Sequence, residues 1–173
     1  EGQSRTNDVT SIAEAVVAAG GTVGSAQYFI LQGNGTDYGR PGAVYTQPGG
    51  TCSRKFDDAI AMLRRQPVDS AGTSVPVAEI PTLLAVYCGD LDEIGHDEGA
   101  ESPRLDDAMR DLDAQVGRLV AAIEEAGISE STSIILTGDH GMTSYTQSYF
   151  LPLYQAIEAA GYTPQPLFAA GQS

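Results

Sequence analysis

The sequence predicts an α/β protein: a largely parallel sheet with helices on both faces. Three observations carry that expectation. Apolar runs of strand length, at Thr22–Ile30, Leu83–Tyr87 and Ser133–Leu136, alternate with stretches of helical period. Glycines close the helical stretches, at Gly20-Gly21, Gly127 and Gly161. The two histidines of the chain, His96 and His140, each come shortly after a strand run and have an aspartate close by. Ligand-binding groups in open parallel sheets collect at the carboxyl ends of strands.

The elements follow in order. Ser11 and Glu14 form a capping box, with Ser11 as N-cap and Glu14 three residues on. Helix continues over Ala13–Ala19 and Gly20-Gly21 stop it, before the strand Thr22–Ile30. Leu31–Gly50 is rich in Gly, Pro, Asn and Tyr and reads as a long loop, structural or flexible rather than a substrate lid. Thr51 or Ser53 caps the next helix, which runs to about Gln66. Its apolar face is Phe56, Ala59, Ile60 and Leu63, at spacing i, i+3, i+4, i+7. Arg64 and Arg65 suit the C-terminal turn of that helix, where solvation explains them better than a bound phosphate.

Pro67–Pro76 reads as a second loop, and Glu79–Cys88 leads into the strand Leu83–Tyr87. Pro103 opens the longest helix, about Arg104–Ala126, with Leu105, Ala108, Met109, Leu112, Val116, Leu119, Val120 and Ile123 as its stripe. Asp106, Asp107, Asp111 and Asp113 fall outside the stripe and read as a solvated face rather than a metal cluster. A last helix spans about Pro152–Ala160, and Leu167-Phe168 suggests a final weak strand. No internal repeat or domain boundary appears, so residues 1–173 read as one α/β domain.

Composition bounds the function. A chain of 173 residues with 42% hydrophobic residues can bury a real core. The net charge of −14, with Lys55 as the single lysine, disfavours a nucleic-acid backbone or an anionic membrane as partner. An acidic protein still binds a phosphate ester where metal ions supply local positive charge. No apolar run approaches the roughly 20 residues that span a bilayer. Cys52 and Cys88 are spaced unlike a metal motif. They could form a disulfide, but Cys88 ends an apolar strand and a buried thiol is the simpler expectation.

The chemistry concentrates in two runs: Asp92-Glu93-Ile94-Gly95-His96 and Thr137-Gly138-Asp139-His140-Gly141-Met142. Imidazole nitrogen and carboxylate oxygen are ligands of catalytic divalent ions. Either motif alone reads equally well as exposed loop, but the two together favour metal binding. Both follow strands, so one fold can bring Asp92, His96, Asp139 and His140 to a shared site. Gly95, Gly138 and Gly141 are expected to allow the tight turns this needs.

In these residues the sequence resembles the type I phosphodiesterase and nucleotide pyrophosphatase branch of the alkaline phosphatase superfamily. There a strand leads into Asp-x-x-Gly-His-x-x-Gly, a long helix follows, and a second strand ends in Asp-His-Gly-Met. Here the order is Leu83–Tyr87, then Asp92–Gly99, the helix, and Ile134–Met142. Leu91 stands where a proline is common, and Ala100 where a Gly-Pro pair would end, which blurs the subfamily. The resemblance implies an alkaline-phosphatase-like fold and two divalent ions, usually zinc. It implies Asp92 and His96 on one ion and Asp139 and His140 on the other. It further implies a small phosphodiester or nucleotide substrate, a phosphorylated Thr or Ser intermediate, and a secreted or periplasmic location.

The resemblance also requires an upstream aspartate, a Thr or Ser nucleophile and a further histidine. This chain has no third histidine, and Thr51 lies after the helix and strand that the nucleophile should precede. The expectation is therefore the C-terminal part of a larger catalytic domain, holding half a site, inactive alone, with the rest of that domain as its partner. The alternatives are another superfamily hydrolase (phosphonate hydrolase, sulfatase or phosphomutase) or a non-catalytic module with a vestigial metal site.

Overall fold

A computed structural model describes residues 10–28, 43–46, 49–70, 72–144 and 153–163. Its centre is a three-stranded parallel sheet. The strands are β1 (Val23–Ala26), β2 (Ala43–Thr46) and β5 (Leu83–Val86), in the order β2-β1-β5. Val23 pairs with Ala43 on one side and Leu83 on the other. Every residue of β1 is buried, as a central strand covered on both faces requires.

Alternation along the strands divides the core between two faces. Val23, Leu83 and Ala85 pack with Ala13, Val16 and Val17 of helix α1 (Ile12–Ala18). Leu84 points the other way, to Ile60, Met62 and Leu63 of helix α2 (Cys52–Leu63). Helices on both faces of a parallel sheet is the architecture the sequence predicts. Gly24 lies under α2 and its missing side chain makes room. A Cβ there would stand 2.7 Å from Pro81 Cγ and 2.8 Å from Met62 Sδ. Burying each large aliphatic side chain in such a core is worth about 1.5–3 kcal/mol.

The local devices are legible in the bonds. Ser11 N–H donates to Glu14 Oε2 at 2.8 Å, and Glu14 N–H donates to Ser11 Oγ at 3.2 Å, which completes the capping box. Gly20, at φ +83°, carries the chain out of α1. Thr22 and Thr82 then exchange hydrogen bonds, each backbone N–H donating to the other's hydroxyl, at 3.1 and 3.2 Å. This clamp aligns the starts of β1 and β5.

Two segments expected as loop contain short strands. β2 lies within Leu31–Gly50, the rest of which, residues 31–42 and 47–48, falls outside the described residues. β3 (Val68–Ser70) and β4 (Thr73–Val75) form an antiparallel hairpin inside Pro67–Pro76. Three residues give no readable alternation, yet Val68 and Val75 are buried against Met62. Gly72, at φ +83°, turns the hairpin, and its N–H donates to Asp69 Oδ1 at 3.0 Å.

Helix α3 (Asp90–Glu98) follows β5 after three residues. Helix α4 (Pro103–Glu125) then packs on α2 and α3. Ser102 caps α4, accepting from Arg104 N–H at 3.2 Å. Of its expected stripe only Ile123 is buried, with Ala122 beside it, and Met109 is exposed. Asp106, Asp107, Asp111 and Asp113 are exposed, as expected of a solvated face. Arg64 pairs with Glu125 at 2.8 Å and Arg118 with Asp57 at 2.6 Å across the α2–α4 seam. Both pairs are solvent-exposed and worth about 0–1 kcal/mol each.

Cys52 and Cys88 form a disulfide, so the expectation of a buried free thiol is corrected. The bridge ties the first residue of α2 to the chain two residues beyond β5. Asp90 reinforces the junction, its Oδ2 accepting from Cys52 N–H at 3.0 Å. A carboxylate suits the N-terminus of α2, whose Thr51 N-cap makes no side-chain cap bond.

The strand expected at Ser133–Leu136 is absent. A 3-10 turn at Ser129–Ser131 leads into irregular chain, and Ile134, Ile135 and Leu136 are 46%, 85% and 71% exposed. The residues have strand propensity, but a strand needs a neighbouring edge for its backbone groups. No described strand pairs with this one.

Residues Thr143–Ser173 form a separate unit. Its described helix, α5 (Leu153–Ala159), matches the expected last helix and ends before Gly161 at φ +85°. The expected strand at Leu167-Phe168 lies outside the described residues.

Candidate metal centre

The first motif is helical. β5 delivers the chain to α3, and Asp92 and His96 sit four residues apart on one face of it. Asp92 Oδ1 lies 3.4 Å from His96 Nε2. The second motif is irregular chain beyond α4, and it brings His140 to the same atom. His140 Nε2 lies 3.6 Å from Asp92 Oδ1 and 3.9 Å from Asp139 Oδ1.

The orientation of His140 has a local cause. Its Nδ1 is 3.1 Å from the carbonyl oxygen of Gly141. A carbonyl only accepts, so Nδ1–H donates, and in the neutral ring Nε2 keeps its lone pair toward Asp92. The same carbonyl, then the nearby charge of Asp139, raise the His140 pKa above its ordinary value; burial opposes them and Asp92 adds a lesser push upward. Asp139 stands at the margin. Its side chain is 83% exposed, and its Oδ1 accepts from His140 N–H at 3.1 Å.

The glycines act differently from expectation. Gly95, Gly138 and Gly141 do not take positive φ, and Gly95 lies within helix rather than at a turn. Gly95 is buried inside α3, and the space a side chain would fill holds Met142. That contact was not legible in the sequence, since nothing in the spacing links position 95 to position 142. The glycine at the third position after Asp92, on the face that also carries His96, was the available signal.

Asp92 Oδ1 is buried and has no hydrogen-bond partner among the described residues, a state in which a carboxylate oxygen suits a cation. Two ligands each about 2.1 Å from a tetrahedral ion lie about 3.4 Å apart. The Asp92–His96 and Asp92–His140 separations of 3.4 and 3.6 Å suit that spacing. Among the described residues, however, no group of three or more His, Cys, Asp or Glu side chains is placed so that it could hold a metal ion. The residues fit part of a shell. Arg64 and Arg65, the other candidate phosphate ligands, end α2 in solvent, with Arg64 committed to Glu125.

Sheet and cluster together define an α/β protein whose aspartates and histidines gather beyond the end of a parallel strand. The chain belongs to the type I phosphodiesterase / nucleotide pyrophosphatase family, whose model matches residues 8–167. It is 31% identical over 81 residues to ectonucleotide pyrophosphatase/phosphodiesterase family member 5 of Homo sapiens, covering 47% of this chain and 17% of that protein. It is 38% identical over 63 residues to family member 7 of Mus musculus, covering 36% and 14%. Similarity to the human bis(5'-adenosyl)-triphosphatase is 30% over 83 residues, covering 47% and 18%. The matched stretches thus span less than a fifth of these relatives' own lengths.

Proposed function

We propose that this chain is the metal-binding part of a catalytic domain that hydrolyses phosphodiester or nucleotide pyrophosphate bonds. The observation that carries the reading is the convergence of His96 and His140 on the one buried, unpartnered oxygen of Asp92. Family membership supports the reaction class, and the relatives' names describe pyrophosphatases, phosphodiesterases and a dinucleoside triphosphatase.

In this reading Asp92, His96 and His140 hold divalent metal, zinc by the chemistry of the ligands, with Asp139 able to join by a side-chain rotation. When bound, divalent metal would supply positive charge to neutralise the phosphorus oxygens. Asp92 bridges the two motifs. The Gly141 carbonyl fixes the His140 tautomer that can ligate. The nucleophile, a Thr or Ser, and the remaining ligands lie outside this chain. The short share of each relative that is matched supports this, as does the apolar run Ile134–Leu136, left without a strand partner among the described residues.

The Cys52–Cys88 disulfide suits an oxidising compartment, and two of the three relatives named above carry "ecto" in their names, so the reading includes export. The test is hydrolysis of a chromogenic phosphodiester by the parent protein. His96→Ala and His140→Ala should each cost several powers of ten in kcat/KM. Equal turnover in either variant, or after stripping with a chelator, would refute the proposal.

A further inference from the structure

The second motif has no helix or strand to hold it, yet it delivers His140 to within 3.6 Å of Asp92. Some contact must fix it there. The bonds of His140 to Asp139 and to Gly141 are local to the motif and cannot set its distance from α3. Met142, two residues past His140, lies against Gly95, and Asp92, Gly95 and His96 share one face of α3 at i, i+3, i+4. A Cβ on Gly95 would fall within the van der Waals shell of the Met142 sulfur and stand 2.9 Å from its Cε. Gly95 is buried and Met142 half-buried, whereas Ile134–Leu136 and Gly138–Gly141 are exposed.

We propose that Met142, seated in the notch left by Gly95, is the positioning residue that brings His140 to Asp92 and His96. The inference rests on the reading of these side chains as one ion site, but the contact itself exists without metal. A thioether suits the role, being unbranched and adaptable enough to fill a shallow notch on a helix. Any side chain at position 95 would push the second motif outward. An empty position 142 would leave it unanchored.

The experiment uses the chain labelled at its methionine methyls and histidine rings. In the metal-free wild type, NMR should show an NOE from the Met142 methyl to Gly95 Hα and another between the His96 and His140 rings. Gly95→Ala and Met142→Ala should each abolish the inter-histidine NOE and weaken zinc binding by ten-fold or more, the range typical when a group that orients a ligand is lost. Met142→Leu, of similar volume, should preserve both. Alanine favours helix over glycine, so Gly95→Ala does not act by melting α3, and far-UV circular dichroism checks this. Persistence of the inter-histidine NOE in both alanine variants overturns the proposal. If the wild type binds no zinc, the ion-site reading fails, and the NOE arm alone decides whether Met142 positions His140.

Discussion

Asp92 Oδ1 lies 3.6 Å from His140 Nε2, although the 23-residue helix α4 separates the two in the chain. Asp92 also faces His96 at 3.4 Å, so one carboxylate joins both motifs. Asp139 is 83% exposed and bonded to its own neighbour's N–H. The two aspartates should therefore differ in effect. Asp92→Asn should weaken zinc affinity by at least ten-fold in calorimetry, and Asp139→Asn by much less. Equal losses would mean that the ions divide between the motifs, as the sequence resemblance implies.

The disulfide is the strongest single constraint on the sheet's end. It links positions 36 residues apart, at the start of α2 and just beyond β5. Constraining the unfolded chain in this way is worth about 2–4 kcal/mol. Thermal unfolding with and without reductant should show a clear drop in Tm on reduction. A paired Cys52→Ala, Cys88→Ala variant should match the reduced protein.

Gly24 is a packing position, beneath Met62 and beside Pro81 and Leu84. Gly24→Ala should overpack the α2 face of the sheet and cost about 1–3 kcal/mol in denaturant unfolding. A Met62→Ala partner substitution should not restore wild-type stability, because it opens a cavity of its own.

Asp58 of α2 is buried, and its Oδ2 lacks a hydrogen-bond partner among the described residues. Burial raises its pKa above the ordinary carboxylate value. Asp69 and Asp57 push the same way, and the Thr46 hydroxyl and Arg54 oppose. A raised folded pKa means that the folded chain keeps a proton the unfolded chain has already lost. The contribution of Asp58 to stability is therefore fully present below the unfolded pKa and declines as pH rises to the folded value. Asp58→Asn should raise Tm at neutral pH. The difference should vanish below about pH 4, where the unfolded carboxyl is also protonated.

The fold was legible where one residue announces a boundary or a period. The capping box at Ser11 and Glu14, the Gly20-Gly21 stop and the α2 face of Phe56, Ala59, Ile60 and Leu63 all appear as read. The strands of three and four residues at Val68, Thr73 and Ala43 were not legible, being too short for a period and set among turn residues. Ile134–Leu136 shows the opposite error. Its propensity was read correctly, but a strand is made by its partner. The four candidate ligands were legible from residue type, whereas the Met142–Gly95 contact depends on tertiary packing that no local pattern encodes.

The account stands or falls on whether His96 and His140 serve one ion site. Zinc titrated into the ¹⁵N-histidine-labelled chain, followed by NMR, tests this directly. The account predicts that the Nε2 signals of both rings shift together with a single affinity, while Nδ1 of His140 stays protonated against Gly141. That affinity should be weak, because the chain holds only part of a shell. Independent shifts with separate affinities, or no shift of either ring at millimolar zinc, would contradict it.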